Sequence, residues 1–213
     1  MKPLTLLILL FAVCSSAFGE SMTPPHRSGE ITVKASLKKD PVQFIRLGSF
    51  VATFEKTTLD EIKDALSLGA IQHAGDAGES QYWLCYSLPG QRIWLISHGE
   101  MGGSDHALTQ VQAITTSPTF STPQEKVACP SIPSQYQSIS TSFGWIGKSK
   151  KALLNILGQP SGIKGNRLIF FYRGIEIGPY YDKQVEWDVL GFVEAEIIDD
   201  KISSLYASHV TSY

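Results

Sequence analysis

An internal repeat constrains the fold of this chain more than any other feature of its sequence. A Ser-Phe pair, an amphipathic helix and a closing strand occur twice in that order, and residues 108–113 match residues 202–207 position by position in side-chain character. Apolar residues four positions apart lie on one face of a helix, so the shared spacing predicts two equivalent helices. The corresponding positions are Thr58 and Ser149, Ile62 and Leu153, Leu66 and Leu157, and Ser49-Phe50 and Ser142-Phe143.

The repeat predicts an α+β fold of two similar modules, each a helical segment packed on an antiparallel β-meander. Residues 20–40 contain few large apolar side chains and are predicted to be a mobile leader. The modules are assigned to residues 41–117 and 138–213. Residues 118–137 are rich in Ser, Thr, Pro and Gln and are assigned to a linker.

The first module contains a strong hairpin signal. Residues 81–88 and 92–98 are rich in apolar and aromatic side chains, and Pro89-Gly90 lies between them, which is typical of two antiparallel strands joined by a tight turn. Alternation along the strands places Trp83 and Trp94 on one face, opposite the face that packs on the helix. Because both faces are apolar, the tryptophan face needs a second cover.

The first residues have the organisation of a secretory signal peptide, assigned to residues 1–19. Lys2 precedes an apolar run at residues 4–13, and small residues follow it. The run is too short to cross a bilayer, which takes about twenty residues, so we expect export to the periplasm and no transmembrane segment after cleavage. The alternative is a lipid anchor at Cys14, but bulky Val13 stands where a lipoprotein signal has a small residue.

Cleavage would leave two cysteines, Cys85 and Cys129, in an oxidising compartment. Such a pair is more often joined than free, so the sequence predicts a disulfide that draws the linker across the tryptophan face. The alternative is a nucleophilic or metal-binding Cys85, which requires an accessible thiol with a lowered pKa.

The charge balance argues against one class of function. The chain has 18 basic and 20 acidic residues, and its basic residues cluster only at Lys38-Lys39 and at residues 148–151. Proteins that bind nucleic acid carry a basic stripe with phosphate-contacting residues. We therefore predict no nucleic-acid partner.

Residues 147–160, Gly-Lys-Ser-Lys-Lys-Ala-Leu-Leu-Asn-Ile-Leu-Gly-Gln-Pro, resemble the Gly-x-Ser/Thr…Leu-x-x-x-Leu-Gly-x-Pro signature of a small envelope domain. That domain occurs in outer-membrane assembly lipoproteins of the SmpA/OmlA type and, as a tandem pair, in β-lactamase inhibitor proteins. The resemblance implies a helix packed on one face of an antiparallel sheet, with the other face or its loops available to bind a protein, and it implies no catalytic residue. The first copy departs from the signature because no proline follows its helix.

One segment offers a competing, enzymatic interpretation. His98, Glu100, Asp105 and His106 carry side chains of the kind that bind zinc. Three glycines lie among them, and their spacing matches no known metal motif. The sequence therefore predicts a polar loop here, with no metal and no cofactor.

The predicted binding residues are aromatic side chains with two acidic neighbours. Tyr180 and Tyr181 follow Gly178-Pro179 in a predicted loop, where two adjacent side chains cannot both point inward. Tyrosine and tryptophan are frequent interface anchors because they combine a large contact area with few rotamers. Core packing is the alternative for the tryptophans. The complete predicted partner-binding set is Tyr180, Tyr181, Trp83, Trp94, Phe192, Glu194 and Glu196.

These features together predict an exported periplasmic binding protein rather than an enzyme. It would bind, and restrain, another protein, as an inhibitor or immunity-type protein does. The alternatives are a structural accessory of envelope assembly and a metal-dependent hydrolase that uses the segment from His98 to His106.

Overall fold

The computed structural model describes residues 23–25, 33–76, 79–103, 105–116 and 128–212. The predicted signal peptide and Cys14 lie outside these ranges, as do large parts of the predicted leader and linker. The predictions made for those residues stay predictions.

The described part of the chain consists mainly of β-strands. Two α-helices of eight residues each, α1 (Leu59–Leu66) and α2 (Lys150–Leu157), accompany them. The strands are β1 (Phe44–Leu47), β2 (Phe50–Thr53), β3 (Gln72–Ala74), β4 (Gln81–Leu88), β5 (Gln91–His98), β6 (Gln110–Thr115), β7 (Ile139–Thr141), β8 (Gly162–Lys164), β9 (Arg167–Tyr180), β10 (Lys183–Ile198) and β11 (Lys201–Ser212).

Eight of these strands form one continuous antiparallel sheet in the order β3-β4-β5-β6-β11-β10-β9-β8. The predicted α+β fold of two modules, each a helix on its own meander, is therefore wrong: the protein is mostly β, and its large sheet is shared by both halves. The physical reason is that β6 and β11, the closing strands of the two copies, pair with each other. Each copy alone would leave that strand as an unpaired edge, whose N–H and C=O groups seek a partner.

The sequence repeat is nevertheless visible inside the sheet. Thr58 and Ser149 are the N-cap residues of α1 and α2, and each side chain accepts a hydrogen bond from a backbone N–H of its helix. The two caps also form corresponding isolated bridges, Thr58 with Ala107 and Ser149 with Lys201. Each of these contacts maps onto the other when the two copies are superimposed in sequence.

The pairing of β6 with β11 has approximate two-fold symmetry. Leu205 is opposite Ala113 and Ala207 is opposite Val111, while Tyr206 and Gln112, which correspond in the repeat, face each other. The local two-fold axis therefore passes through the pair Gln112–Tyr206. A single chain thus contains an interface of the isologous kind found in symmetric dimers.

One face of the large sheet, called here the inner face, packs on both helices. Ile62 of α1 and Leu153 of α2 are fully buried there, at positions that correspond in the repeat. A second sheet of three strands, β2-β1-β7, joins residues from both halves and contributes Ile45 and Leu47 to the same core. The hydrophobic core is therefore continuous across the two copies.

The hairpin of β4 and β5 is confirmed, and it pairs Cys85 with Trp94 and Trp83 with Ile96. Trp83 and Trp94 are therefore diagonal neighbours. They lie on the opposite, outer face of the sheet in a separate buried cluster with Cys85, Ile96 and Cys129.

The disulfide between Cys85 and Cys129 is also confirmed, with Cα atoms 4.6 Å apart. Next to it, Ser87 donates its backbone N–H to Pro130 O and accepts the N–H of Ile132 at its own carbonyl. The end of the predicted linker thus lies along the edge of β4 and closes the tryptophan face.

The helical register leads to a stability prediction. Leu66 is buried, and Leu157 is half-buried and packs on the same core. Because truncation of a buried leucine leaves a cavity, we expect Leu66→Ala to lower the free energy of unfolding by about 2 to 5 kcal/mol and Leu157→Ala by about 2 kcal/mol. Chemical denaturation measures both effects.

Ile156 is the matched control, because it lies on α2 next to Leu157 and is 52% exposed. Ile156→Ala should change the free energy of unfolding by less than about 0.5 kcal/mol. If Leu157→Ala is as mild as this control, the helical register of the second copy is incorrect.

No helix among the described residues is both long enough and apolar enough to span a membrane.

Candidate functional site

The most exposed apolar surface of the described residues is a two-stranded arm formed by residues 174–187. Pairing of β10 with β11 begins only at Asp188, and β8 pairs only with residues 167–169 of β9. Beyond those points β9 and β10 pair with each other alone, as far as Tyr180 and Lys183. The arm therefore projects from the sheet as a hairpin.

The arm carries four of the eight large apolar or tyrosine side chains that are exposed in the described residues. Their exposed fractions are 62% for Ile175, 74% for Ile177, 43% for Tyr180 and 89% for Tyr181. The prediction that at least one of the two tyrosines is exposed is thus confirmed, although Tyr180 ends a strand rather than lying in a loop. Tyr181 is at the turn with a positive φ of 53°.

The aromatic rings at the tip of the arm pack on one another. The ring of Tyr180 meets Tyr181 edge-on at a centroid distance of 4.8 Å and Trp187 at 5.8 Å. The rings therefore pack against one another, while most of the Tyr181 surface faces solvent. An exposed aromatic group that is already ordered loses little entropy when a partner covers it.

The length of the arm could not be recognised from the sequence because Gly178-Pro179 resembles the start of a loop. A proline has no backbone N–H and is tolerated in a strand that has one open edge, which is the position of Pro179 in β9. The alternation of Ile175, Ile177 and Val185 with polar residues was the available signal for two longer strands.

Phe192, Glu194 and Glu196 point to the outer face of the second half, because they alternate along β10 with Val193 and Ala195, which are buried on the inner face. Phe192 lies between two other aromatic rings, with centroid distances of 6.2 Å to Phe171 and 6.0 Å to Tyr206. The three rings form a row across β9, β10 and β11.

The two glutamates have protein partners on that face. Glu194 is only 8% exposed and pairs with Arg167 at 3.0 Å. Glu196 accepts a hydrogen bond of 2.9 Å from the side-chain amide of Asn166. Both carboxylates therefore help to order the outer face, and Glu194 presents little surface to a partner.

Trp83 and Trp94 are placed apart from this surface. Their exposed fractions are 0% and 2%, because the disulfide holds the segment around Cys129 beside them. In this structure neither ring can contact a partner, and only the core-packing alternative is consistent with their burial.

A cluster that the sequence did not reveal joins the leader to β11. His209 Nδ1 is 2.7 Å from Asp40 Oδ2, and its Nε2 is 3.3 Å from Glu55 Oε2. Glu55 also accepts hydrogen bonds from the backbone N–H and the hydroxyl of Thr211. An imidazole with a carboxylate at each nitrogen donates at both, so the charged form of His209 is favoured.

The pKa of His209 reflects this arrangement. Burial alone would lower it, but the hydrogen bonds to Asp40 and Glu55 have the larger combined effect and raise the pKa to about 9. For Glu55, burial would raise the pKa, and the hydrogen bonds from His209 and Thr211 outweigh it, so the pKa is lowered. Asp40, Glu55 and His209 thus bond to one another across three separate parts of the chain, and we interpret the cluster as a structural clamp.

In the segment from His98 to His106, on which the hydrolase alternative depends, the ring of His106 stacks on an aromatic ring outside the segment. Tyr82 lies between His106, at a centroid distance of 3.7 Å, and His73, at 4.4 Å. His98 ends β5, and a short 3₁₀ turn (Gly99–Gly102) follows it. The side chain of Glu100 is not described. Within the described ranges, no group of three or more His, Cys, Asp or Glu residues is arranged to hold a metal ion.

In comparisons with known proteins, no protein-family model, curated protein or solved structure matches this chain.

Proposed function

We propose that this protein is exported to the periplasm, where it binds and restrains another protein through the arm of β9 and β10. The observation that carries the proposal is the exposure of Ile175, Ile177, Tyr180 and Tyr181 on a projecting hairpin. Export is proposed from the sequence of residues 1–19 alone.

The energetics of the arm support a binding role. A two-stranded ribbon without a third strand or a helix on its face is marginally stable in water. The exposed isoleucines and tyrosines of this ribbon bury little surface within the chain, so folding stability does not account for them. Exposed apolar surface of this kind marks an interaction site, and tyrosine is among the residues enriched in the energetic centres of interfaces.

The charges of the arm indicate the kind of surface that it fits. Between positions 173 and 188 there are four acidic residues and two basic ones, and Arg173 pairs with Asp188 at 2.9 Å. The arm is therefore an apolar hairpin with a net negative rim. An apolar cleft with a basic rim on the partner would be complementary in both respects.

A double substitution at the tip tests this function. We expect Tyr180→Ala with Tyr181→Ala to weaken binding by at least about 2 kcal/mol, the usual effect of losing an interface anchor, while the melting temperature changes little. The measurement is affinity capture from an envelope extract by the immobilised wild-type chain and by the variant, with each captured protein then purified and its affinity determined.

The matched control is Ile163→Ala, because Ile163 is 66% exposed on β8, away from the arm. A partner that is bound by the wild type and the control but lost by the double variant supports the proposal. If all three chains bind the same proteins with equal affinity, the arm is not the interface. A large loss of stability in the double variant would instead show that the tyrosines pack as core residues.

The identity of the partner separates the two binding alternatives. A toxin or hydrolase whose activity falls on binding supports restraint, whereas a component of outer-membrane assembly supports an accessory role. For the enzymatic alternative, a metal assay on the purified protein is the direct test.

A further inference from the structure

A groove between the leader and α2 has a character that the proposed function does not use. Its volume is about 340 Å³. Leu37, Ile156 and Leu157 supply apolar lining, and Lys38 and Lys39 line it as well. Ile156 is 52% exposed, and both lysines are exposed. The groove therefore offers apolar surface beside positive charge.

The net charge of this groove is positive. Asp40 is the only carboxylate among its described lining residues, and its Oδ2 atom is 2.7 Å from Nδ1 of His209. The other oxygen, Oδ1, accepts the backbone N–H of Val42 at 3.0 Å. Because the charge of Asp40 is already compensated inside the protein, the two lysines determine which charge the groove attracts.

Hydrogen bonds hold the walls of the groove in place. Ser142 donates its hydroxyl to Pro41 O at 2.7 Å and accepts the backbone N–H of Gln43 at 3.1 Å, which joins the leader to the turn after β7. The bond between Asp40 and His209 fastens the same stretch of the leader to β11. A site whose walls are ordered in advance loses little entropy when a ligand enters it.

The arm has the opposite charge. Its base contains the ion pair of Arg173 with Asp188. Beyond that pair, residues 174–187 include three acidic side chains and one basic one. The arm therefore has a net negative charge after its internal pair is set aside.

The acidic groups of the arm lie next to its exposed apolar groups. Glu186 is directly opposite Ile177 in the pairing of β9 with β10, and residues opposite each other in an antiparallel pair have their side chains on the same face. Asp182 follows Tyr181 at the tip. The arm thus combines apolar surface with negative charge, as the groove combines apolar surface with positive charge.

We propose that the arm of one copy of this chain docks in the groove between the leader and α2 of a second copy. The exposed apolar groups of the arm would cover the apolar lining of the groove, and its carboxylates would meet Lys38 and Lys39. Arm and groove are different surfaces, so the contact is heterologous and each copy retains one free arm or groove for the next. Such contacts build a ring where the rotation between copies closes, and an open chain where it does not.

This inference goes beyond the proposed function because it requires no protein other than a second copy. Both use the arm, so a copy seated in the groove and a different partner would compete for the same surface. Self-association would then cover the apolar arm until such a partner displaces it. A variant that changes the groove and leaves the arm intact separates the two.

The association is measured by sedimentation velocity on the purified chain that begins at Glu20. An interface made by one hairpin is small and belongs to the weak class, so the series of concentrations extends to about 0.3 mM. We expect the average mass to rise with concentration and the association to weaken as salt is added, because salt screens exposed charges.

Charge reversal on each surface tests the contact directly. We expect Lys38→Glu with Lys39→Glu in the groove to weaken association by at least about tenfold, and Asp182→Lys with Glu186→Lys on the arm to do the same, because like charges then meet. In an equimolar mixture of the two variants, each arm finds a groove of opposite charge. The mixture should therefore associate within about threefold of the wild type.

The matched control is Lys148→Glu with Lys151→Glu. It reverses two exposed lysines near the start of α2, outside the groove lining, and should leave association unchanged. Circular dichroism checks that every variant is folded.

Four results would overturn the proposal. They are a wild type that stays monomeric throughout the series, reversal variants that associate as the wild type does, a mixture no better than either variant alone, and an equal loss in the lysine control. The groove variant keeps its arm, so its capture of proteins from envelope extract tests the proposed function separately. Capture without self-association of the wild type supports only that function, and self-association without capture supports only this inference.

Discussion

Removing the disulfide should cause the largest loss of stability of any change considered for this protein. The bond joins residues 44 positions apart, and for a loop of this size the chain-entropy model gives about 4 kcal/mol of stabilisation. Cys85→Ser with Cys129→Ser should therefore lower the free energy of unfolding by about that amount, as measured by urea denaturation. Tryptophan emission should shift to longer wavelength if the segment around Cys129 moves away from Trp83 and Trp94.

Two controls isolate the effect of the bond. A reducing agent should destabilise the wild type by a similar amount and should not destabilise the double variant further. Thiol titration of the unfolded, non-reduced chain that begins at Glu20 should find no free thiol. Two free thiols per chain, or equal stability with and without reductant, would contradict the prediction.

The His209 cluster should make stability depend on pH in a defined direction. The pKa of His209 is raised from 6.5 to about 9, so its contribution is fully present below about pH 6.5 and is lost as the pH rises toward 9. The pKa of Glu55 is lowered from 4.5, so its contribution is present above pH 4.5 and is lost as the pH falls through the lowered value. We expect the free energy of unfolding to be highest between these limits.

Substitution of the imidazole should remove the alkaline part of this dependence. His209→Asn leaves Asp40 and Glu55 without their shared cation, and we expect a loss of about 3 kcal/mol at pH 6, near the lower end of the cost of breaking a buried ion pair. Urea denaturation of the wild type and the variant between pH 5 and 9 gives both quantities.

Asp188→Asn is the matched control, since it breaks the exposed pair with Arg173 and should change stability by less than about 1 kcal/mol. A wild-type stability that stays flat between pH 6.5 and 9 would show that His209 is not charged in the folded protein.

The parts of the fold that could be predicted depend on neighbours in sequence. The hairpin of β4 and β5 is specified by its alternating residues and by Pro89-Gly90. The helices that follow Thr58 and Ser149 could be predicted because apolar residues recur four positions apart in both of them. The disulfide could be predicted because the expected removal of residues 1–19 would leave only two cysteines.

The parts that could not be predicted depend on contacts between distant segments. Nothing in residues 110–115 or 201–212 alone indicates that these strands pair with each other and merge two expected modules into one sheet. Asp40, Glu55 and His209 come from three separate regions of the chain, and each alone resembles an ordinary surface residue. Tyr180 and Tyr181 can be recognised as candidates in the sequence, but the hairpin that presents them cannot, because Gly178-Pro179 is typical of a loop.

The symmetric pairing of β6 with β11 joins two halves of one sheet that can carry different surface features. In a dimer of identical subunits, any feature on one half of the shared sheet would occur on the other half too, including a cover over its outer face. Here both halves belong to one polypeptide, so each can be altered without the other. In the first half the segment around Cys129 covers Trp83 and Trp94 through the disulfide, whereas the second half carries the projecting arm. Duplication within a chain thus allows the two halves to differ, and the arm occurs in the second half alone among the described residues.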